Sequence, residues 1–239
     1  MFVALQTRVD AVVESLTEDI FSGTAEPGDS LRELHLARNL KVSQQTIRAA
    51  LVKLEHLGLV DRISRKGTVV KNLTREDLAE RIQVRIPLDQ MACVIVARQM
   101  DKKHFDRLRQ LADSICAATR PDGDAAFHRY IWELTDNRTL YQTLDQLSAP
   151  LFAGVTLLRQ AGLQNLEARV TSHHALISAM MERSDGEIRT IVRDHTIDAY
   201  SAFLDSGYLD FRSLAEQLKR ESTRAQRPSA LKALAVAWP

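Results

Sequence analysis

Residues that form turns and aromatic cores are scarce in this chain of 239 residues. It contains 9 glycines and 6 prolines, and aromatic residues make up 5%. β-Sandwiches and barrels need frequent turns between short strands, so this composition favours a mostly helical fold. Apolar residues at 45% and charged residues at 26% are typical of a globular protein and exclude a disordered or collagen-like chain.

Cysteine and long hydrophobic runs are also lacking. The two cysteines, Cys93 and Cys116, exclude a disulfide framework and a four-cysteine metal site, and they suit a reducing compartment. No window of about 18 apolar residues is free of charge, and acidic residues from Asp10 onward interrupt any signal-peptide core. We therefore expect a cytoplasmic protein with no membrane partner.

The charge is unevenly distributed, although the net charge of the chain is only +1. Residues 1–31 contain six acidic residues and one basic residue, whereas residues 32–75 contain ten basic residues and three acidic ones, a local net charge of +7. A basic segment in an otherwise neutral chain is typical of a nucleic-acid-binding module.

The apolar periodicity of this region predicts a winged helix-turn-helix. A first helix is predicted over about residues 5–21, and Ser30-x-x-Glu33 resembles a capping box that opens a short second helix. Ser43 is a good N-cap for a third helix over residues 44–57, and Gly58 is suited to end it. Two β-branched runs around a glycine-containing turn then predict a hairpin, the wing.

Polar residues at the start of the third helix and at the wing tip are candidate DNA contacts. In a winged helix-turn-helix the second helix of the pair enters the major groove, where glutamine bonds adenine and arginine bonds guanine. Helix N-termini and glycine-containing turns also approach phosphates closely. The alternative is a solvated polar face. The predicted DNA-binding residues are Ser43, Gln44, Gln45, Thr46, Arg48, Arg65, Lys66, Gly67 and Thr68.

From about Thr74 onward the strong patterns are helical, with Pro87 and Pro150 among the expected breakers. The fold class is therefore mostly α: a winged helix-turn-helix followed by an all-α bundle. The predicted helices cover residues 77–84, 88–100, 103–118, 124–135, 139–147, 151–160, 163–183, 186–204 and 210–217. The expected domains are residues 1–72 for DNA binding, a linker at 73–80, an all-helical domain at 81–208, and a C-terminal extension at 209–239. The resemblances described next imply that the helical domain binds an effector and dimerises.

The N-terminal motifs resemble those of the GntR family of bacterial transcription regulators. They are Leu31-x-Glu33-x-x-Leu36-Ala37, Ile47-Arg48-x-Ala50-Leu51, Gly58-Leu59-Val60 and Gly67-x-Val69-Val70. The chain departs from the family where Lys41 replaces a glycine and where Gln44 and Thr46 replace arginine and proline. The resemblance implies a homodimer that binds double-stranded operator DNA.

The C-terminal part resembles the FadR-type helical effector domain, called FCD. The resemblance is carried by Arg85-x-x-Leu88-Asp89, Asp124-x-x-x-His128, Asn137, His173 and His195. It implies that Asp124, His128, His173 and His195 bind a metal ion. It also implies a cavity where a small carboxylate effector reaches that metal, with Arg85 as the anion's partner. The alternative for Arg85 is a salt bridge with Asp89.

Residue spacing is compatible with this ligand set. Asp124 and His128 are four positions apart and lie about 40° apart on one helix face. His173 and His195 each lie 11 positions from Ser184, in the predicted turn of a helical hairpin, so they fall at the same level. Three imidazoles and a carboxylate suit zinc, with nickel or manganese as alternatives. His174 is the alternative to His173.

These patterns predict a dimeric transcriptional repressor whose operator affinity depends on a small-molecule effector. Two alternatives remain: a metal-dependent enzyme that uses the Asp/His/His/His set, and a helical domain that serves only for dimerisation around a structural metal. The chain has no Gly-x-Ser-x-Gly, His-Glu-x-x-His, P-loop or dinucleotide-binding motif, so we expect it not to be an enzyme.

Overall fold

The computed structural model describes residues 7–115, 123–160 and 165–205. Within these ranges the chain forms nine helices and one antiparallel hairpin, so the mostly helical fold class is confirmed. The elements are α1 (Arg8–Phe21), α2 (Glu33–Asn39), α3 (Gln44–His56), β1 (Val60–Ile63), β2 (Gly67–Val70), α4 (Arg75–Gln99), α5 (Lys102–Ser114), α6 (Gly123–Leu134), α7 (Arg138–Gln160), α8 (Leu166–Glu182) and α9 (Asp185–Asp205).

Elements α1 to β2 form the predicted winged helix. The apolar faces of α1 and α3 meet in a core that includes Leu16, Ile47 and Leu51, each at most 2% exposed. Burial of this apolar surface stabilises the two helices against each other. The hairpin pairs Val60 with Val70 and Ile63 with Gly67, which places the turn at residues 64–66.

The two capping predictions for this domain have different outcomes. Ser43 is the N-cap of α3, because its side chain accepts a hydrogen bond of 3.1 Å from the Thr46 backbone N–H. The capping box predicted at Ser30 is wrong. Ser30 instead forms an isolated β-bridge with Val69, and α2 begins after Arg32 without a side-chain cap. Backbone pairing with the wing thus takes the place of the local cap.

The two predicted helix breaks at proline are also wrong. Helix α4 continues through Pro87 and α7 continues through Pro150, so each joins two helices that the sequence predicted separately. A proline removes one backbone donor and disfavours the helix by about 3 kcal/mol. Tertiary packing outweighs this cost, because both helices pack against several others along their length.

Helix α4 begins at Arg75, so most of the segment 73–80 that was expected to be a linker is helical. Thr74 caps it in a reciprocal box: Thr74 Oγ1 accepts from the Asp77 N–H, and Asp77 accepts from the Thr74 N–H. The winged helix is therefore joined to the bundle by a short segment followed at once by rigid helix. Helices α4 and α6 to α9 enclose the core of the second domain.

Several predictions fall outside the described residues. They concern Leu5 in the first helix, Cys116, the helix at 210–217 and the C-terminal extension from residue 209. Within the described ranges, no helix is long and apolar enough to cross a membrane.

Candidate metal centre and nucleic-acid interface

Four side chains from three helices meet inside the second domain. Asp124 and His128 lie one turn apart on α6, His173 lies on α8 and His195 lies on α9. One ligand atom from each residue falls within 4.8 Å of the others, and the three histidines are buried. At metal–ligand bonds of about 2.1 Å, tetrahedral donors lie about 3.4 Å apart, so side-chain adjustments of about 1 Å suffice to bring the set around one ion.

The outer nitrogens of two imidazoles are already bonded. His173 Nδ1 lies 2.7 Å from the Arg169 carbonyl oxygen, and His195 Nδ1 lies 2.8 Å from Ser172 Oγ. A carbonyl oxygen only accepts, so His173 carries its proton on Nδ1 and presents a lone pair at Nε2. That Nε2 atom is buried, lies 3.3 Å from Asp124 Oδ1 and forms no hydrogen bond among the described residues. His195 Nε2 lies 3.3 Å from His128 Nε2. This arrangement fits a bound metal ion, because the free nitrogens converge while the outer ones are held.

The electrostatics of the cluster favour the protonation states that bind metals. Burial lowers the pKa of His128 and His195 well below the usual value, and at His128 the positive charge of Arg85 contributes further. Burial alone would raise the pKa of the Asp124 carboxyl. The adjacent Arg169 guanidinium outweighs it and holds this pKa well below its usual range. Neutral imidazoles and an ionised carboxylate are the ligand forms that metals require.

His173 and His174 point in different directions from α8. His173 is fully buried in the cluster, whereas His174 Nε2 lies 2.8 Å from Asp113 Oδ1 at the surface. The structure therefore brings together the four residues named from the sequence and leaves His174 outside.

Arg85 lies beside this cluster rather than in an open cavity. It is 3% exposed, and its Nε donates a hydrogen bond of 2.9 Å to Asp89 Oδ2. Asp89 also accepts from Trp132 Nε1, and the Arg85 guanidinium lies 5.0 Å from the centre of the Phe152 ring. Because α4 does not begin at Pro87, Arg85 and Asp89 are one helical turn apart and form a buried ion pair. In this structure Arg85 is thus engaged by protein groups.

Two other arginines face a narrow pocket that the sequence did not reveal. The pocket adjoins Asp124 and is lined by Thr156 and Arg159 of α7 and by Arg169 of α8. Arg169 donates to Asp124, and its Nε is buried and has no hydrogen-bond partner in the part of the chain that the structure describes. Arg169 could have been found from the sequence, because it lies four residues before His173 and that spacing places both on one face of a helix.

The first turn of α3 is presented to solvent. Ser43, Gln44, Gln45 and Arg48 are exposed and Thr46 is partly buried. Arg48 forms a bidentate pair with Glu33, with bonds of 3.2 and 2.8 Å. The pair is well exposed, so water screens it and it does not prevent Arg48 from turning to DNA.

At the wing, Arg65, Lys66 and Gly67 are exposed, whereas Thr68 is only 8% exposed. The Thr68 side chain packs inward, so a contact of this residue with DNA stays a prediction that would fall to its exposed part. Arg65 and Gly67 both have positive φ values, 66° and 80°, which turn the chain tightly at the tip.

Two basic residues before the recognition helix were not among the predicted contacts. Arg38 and Lys41 are exposed and form no ion pair among the described residues, unlike Arg48, Lys53 and Arg62. Lys41 has a φ of 53°, which accounts for the glycine that the GntR pattern has at this position.

Together, the fold and its two sites define a transcriptional regulator with an N-terminal winged helix-turn-helix and a helical C-terminal domain. The model of the bacterial regulatory proteins of the gntR family matches residues 8–70, and the model of the FCD domain matches residues 80–198. The chain belongs to the GntR family and carries an FCD domain, as the sequence resemblance predicted.

Relatives of the same class support this assignment. The chain is 27% identical to YdhC, an uncharacterized HTH-type transcriptional regulator of Bacillus subtilis (strain 168), over 75% of this chain and 84% of that protein. It is 25% identical to a "probable D-xylose utilization operon transcriptional repressor" of Paenarthrobacter nicotinovorans, over 81% and 87%. The structure of E. coli McbR/YncC has the same fold, with a TM-score of 0.70 at 17% identity, covering 91% of this chain and 100% of that one.

Proposed function

We propose that the protein is a homodimeric repressor whose affinity for operator DNA is controlled by a small carboxylate bound at a metal ion in the FCD domain. The observation that carries this proposal is the convergence of the histidine nitrogens beside a pocket with two arginines. Among the described residues, His173 Nε2 and Arg169 Nε are buried and form no hydrogen bond, although His173 Nε2 lies 3.3 Å from Asp124 Oδ1. Leaving such atoms unpaired is costly unless a ligand satisfies them.

In this proposal Asp124, His128, His173 and His195 hold a transition-metal ion, with zinc, nickel and manganese as the candidates. A bound ion would supply a positive charge, and an ion that takes more than the four protein ligands would also offer a coordination position to a carboxylate oxygen. Arg169 and Arg159 line the adjoining pocket and add two positive charges for the same anion. Arg169 would then divide its donors between Asp124 and the effector.

Helix α7 is suited to carry the signal because its two faces serve the two domains. Phe152 and Thr156 line the pocket beside Asp124, and the Phe152 ring lies 5.8 Å from that of His128. On its other face, Pro150 and Ala153 line a cleft with Leu59 and Val70 of the winged helix. An effector that shifts α7 also shifts this contact, and a coupling of about 1–3 kcal/mol is typical of such regulation.

The assignment as a repressor follows the name of the Paenarthrobacter nicotinovorans relative. Two copies of the winged helix would bind a pseudo-palindromic operator, because the half-sites of such an operator mirror a two-fold axis in the protein.

The first step of the test is metal analysis of the purified protein and two variants. We expect about one transition-metal ion per chain in the wild type and in His174→Ala, whose side chain lies outside the cluster. We expect loss of the ion in His195→Ala. Metal-free wild-type protein that takes up no zinc, nickel or manganese would contradict the proposal, as would full metal content in His195→Ala.

The second step measures binding to the DNA upstream of the protein's own gene. Small mono- and dicarboxylates are added to the wild type and to His195→Ala. We expect at least one acid to weaken operator binding about 5- to 150-fold in the wild type, and much less in the variant. If neither these acids nor chelation changes operator affinity, the helical domain serves only for dimerisation and the sensing role is wrong.

A further inference from the structure

An exposed leucine lies in the first turn of α2, beside the candidate nucleic-acid interface. Leu34 is 49% exposed, and among the described residues it is the only large apolar residue of α1 to α3 that is exposed. Single exposed apolar residues are common on protein surfaces, so a role for Leu34 must follow from its surroundings. The neighbouring helix and the local charge both point to one kind of partner.

The residue before Leu34 joins this turn to the recognition helix α3. Glu33 accepts two hydrogen bonds from the Arg48 guanidinium, of 3.2 and 2.8 Å. Arg48 is exposed on α3 and is one of the residues predicted to contact DNA. The first turn of α2 is therefore held against the exposed side of the recognition helix, and Leu34 lies at the edge of the surface that would meet DNA.

The charge around Leu34 fits a nucleic acid as the partner. From residue 34 to residue 54 the sequence has four basic residues and no acidic one. Arg38 lies one helical turn after Leu34 on the same side of α2, is exposed, and forms no ion pair in the part of the chain that the structure describes. Unpaired positive charge attracts phosphates, so the leucine lies within a surface that is suited to the DNA backbone.

We infer that Leu34 contacts the 5-methyl group of a thymine in the major groove and thereby helps to select the operator sequence. The base edges in that groove present hydrogen-bond donors and acceptors, and the thymine methyl is the one methyl group among them. A leucine side chain forms no hydrogen bonds, so it gains free energy in the groove by covering this methyl. The inference rests on the proposed function, because it requires that α3 binds operator DNA through its exposed side.

The contact would add sequence information that the polar residues of α3 do not supply. Gln44, Gln45 and Arg48 are suited to recognise adenine and guanine by hydrogen bonds, whereas a methyl group needs an apolar partner. The other candidate for that partner is Ala49, the one exposed apolar residue of α3. The experiment must therefore distinguish Leu34 from Ala49.

Replacement of thymine by uracil isolates this contact, because it removes the methyl group and keeps the hydrogen-bonding groups of the base. The wild type first selects its operator from a pool of duplexes of random sequence. Each symmetry-related pair of thymines is then replaced by deoxyuridine, and affinity is measured by fluorescence anisotropy. A buried methyl contributes about 4-fold in affinity, so one pair should weaken wild-type binding about 15-fold over two half-sites. Leu34→Ala should bind the unmodified duplex about 15-fold more weakly, and the same replacement should weaken it no further.

Met181→Ala is the matched control, since Met181 is 46% exposed on α8, outside the winged helix, and this variant should keep the wild-type dependence on every thymine. Circular dichroism verifies that each variant is folded. If Leu34→Ala responds to every replacement as the wild type does, or if Ala49→Gly abolishes the dependence instead, the inference is wrong and operator binding stands. If the wild type enriches no sequence from the pool, the proposed operator-binding function fails as well.

Discussion

At the scale of single residues, the metal centre depends on side chains that hold the imidazoles. Ser172 and the Arg169 carbonyl oxygen each bond an outer nitrogen, so the inner nitrogens of His195 and His173 face the cluster. Such contacts fix the tautomer and the ring orientation, and losing one commonly lowers metal affinity about 10- to 100-fold. Ser172 follows the buried Arg169 by three positions on α8, and its own hydroxyl donates to the Arg169 carbonyl at 2.8 Å.

Ser172→Ala should therefore weaken metal binding without removing a ligand. We expect the metal dissociation constant to rise about 10-fold, at the lower end of the usual range because alanine leaves the ring packing intact. Isothermal titration of the metal-free protein measures it. Ser178→Ala, at an exposed serine of the same helix, is the matched control. Equal affinities for the two variants would show that Ser172 does not orient His195.

At this scale, a side chain's contacts can be predicted from the sequence when they lie within one helix. They cannot be predicted from it when they depend on several elements packing together. The shared face of Asp124 and His128 follows from their spacing alone. The ion pair between Arg85 and Asp89 can be predicted from their spacing of four residues, provided that α4 is continuous. The bond of Ser172 to His195 and the inward packing of Thr68 depend on how separate elements pack, which no local pattern encodes.

At the scale of elements, two prolines lie inside helices because tertiary packing outweighs their low helix propensity. Pro87 and Pro150 were expected to end helices, and each lies inside one. The continuity of α7 matters for the proposed mechanism, because one unbroken helix connects the metal pocket to the winged helix. Pro150 itself lies at the winged-helix side, where Gly58 approaches it closely.

Gly58→Ala should destabilise this contact between the domains. Gly58 has a φ of +70°, and an added Cβ would lie 3.3 Å from Arg81 Nη2 and 3.4 Å from Pro150 Cγ. Gly67 is the matched position, because it has a φ of +80° and no atom of the described residues lies within 4 Å of such a Cβ. The left-handed backbone costs both variants about 1–2 kcal/mol. Urea unfolding should show a larger loss for Gly58→Ala than for Gly67→Ala, and equal losses would mean that the contact with α7 relaxes freely.

At the scale of the whole molecule, the basic residues of the winged helix fall into two groups, those held in ion pairs and those left exposed. Ion pairs within the winged helix engage Arg48, Lys53, Arg62 and Lys71 in the part of the chain that the structure describes. Arg38, Lys41, Arg65 and Lys66 form no such pair there and are exposed. Unpaired basic charge is thus concentrated just before the recognition helix and at the wing, which are parts that would face DNA phosphates.

This distribution predicts that operator affinity falls steeply with salt concentration. Part of this dependence should come from the basic residues of the wing. Each phosphate contact contributes about −0.9 to the slope of log affinity against log salt concentration. Because a dimer presents two wings, Lys66→Ala should reduce the magnitude of the slope by about 2, whereas Lys103→Ala, at an exposed lysine on α5, should leave it unchanged. Binding measured from 50 to 200 mM salt distinguishes them. A slope unchanged in Lys66→Ala would place the phosphate contacts elsewhere, with Arg38 and Lys41 as the next candidates, since helix N-termini and their flanking turns also approach the DNA backbone.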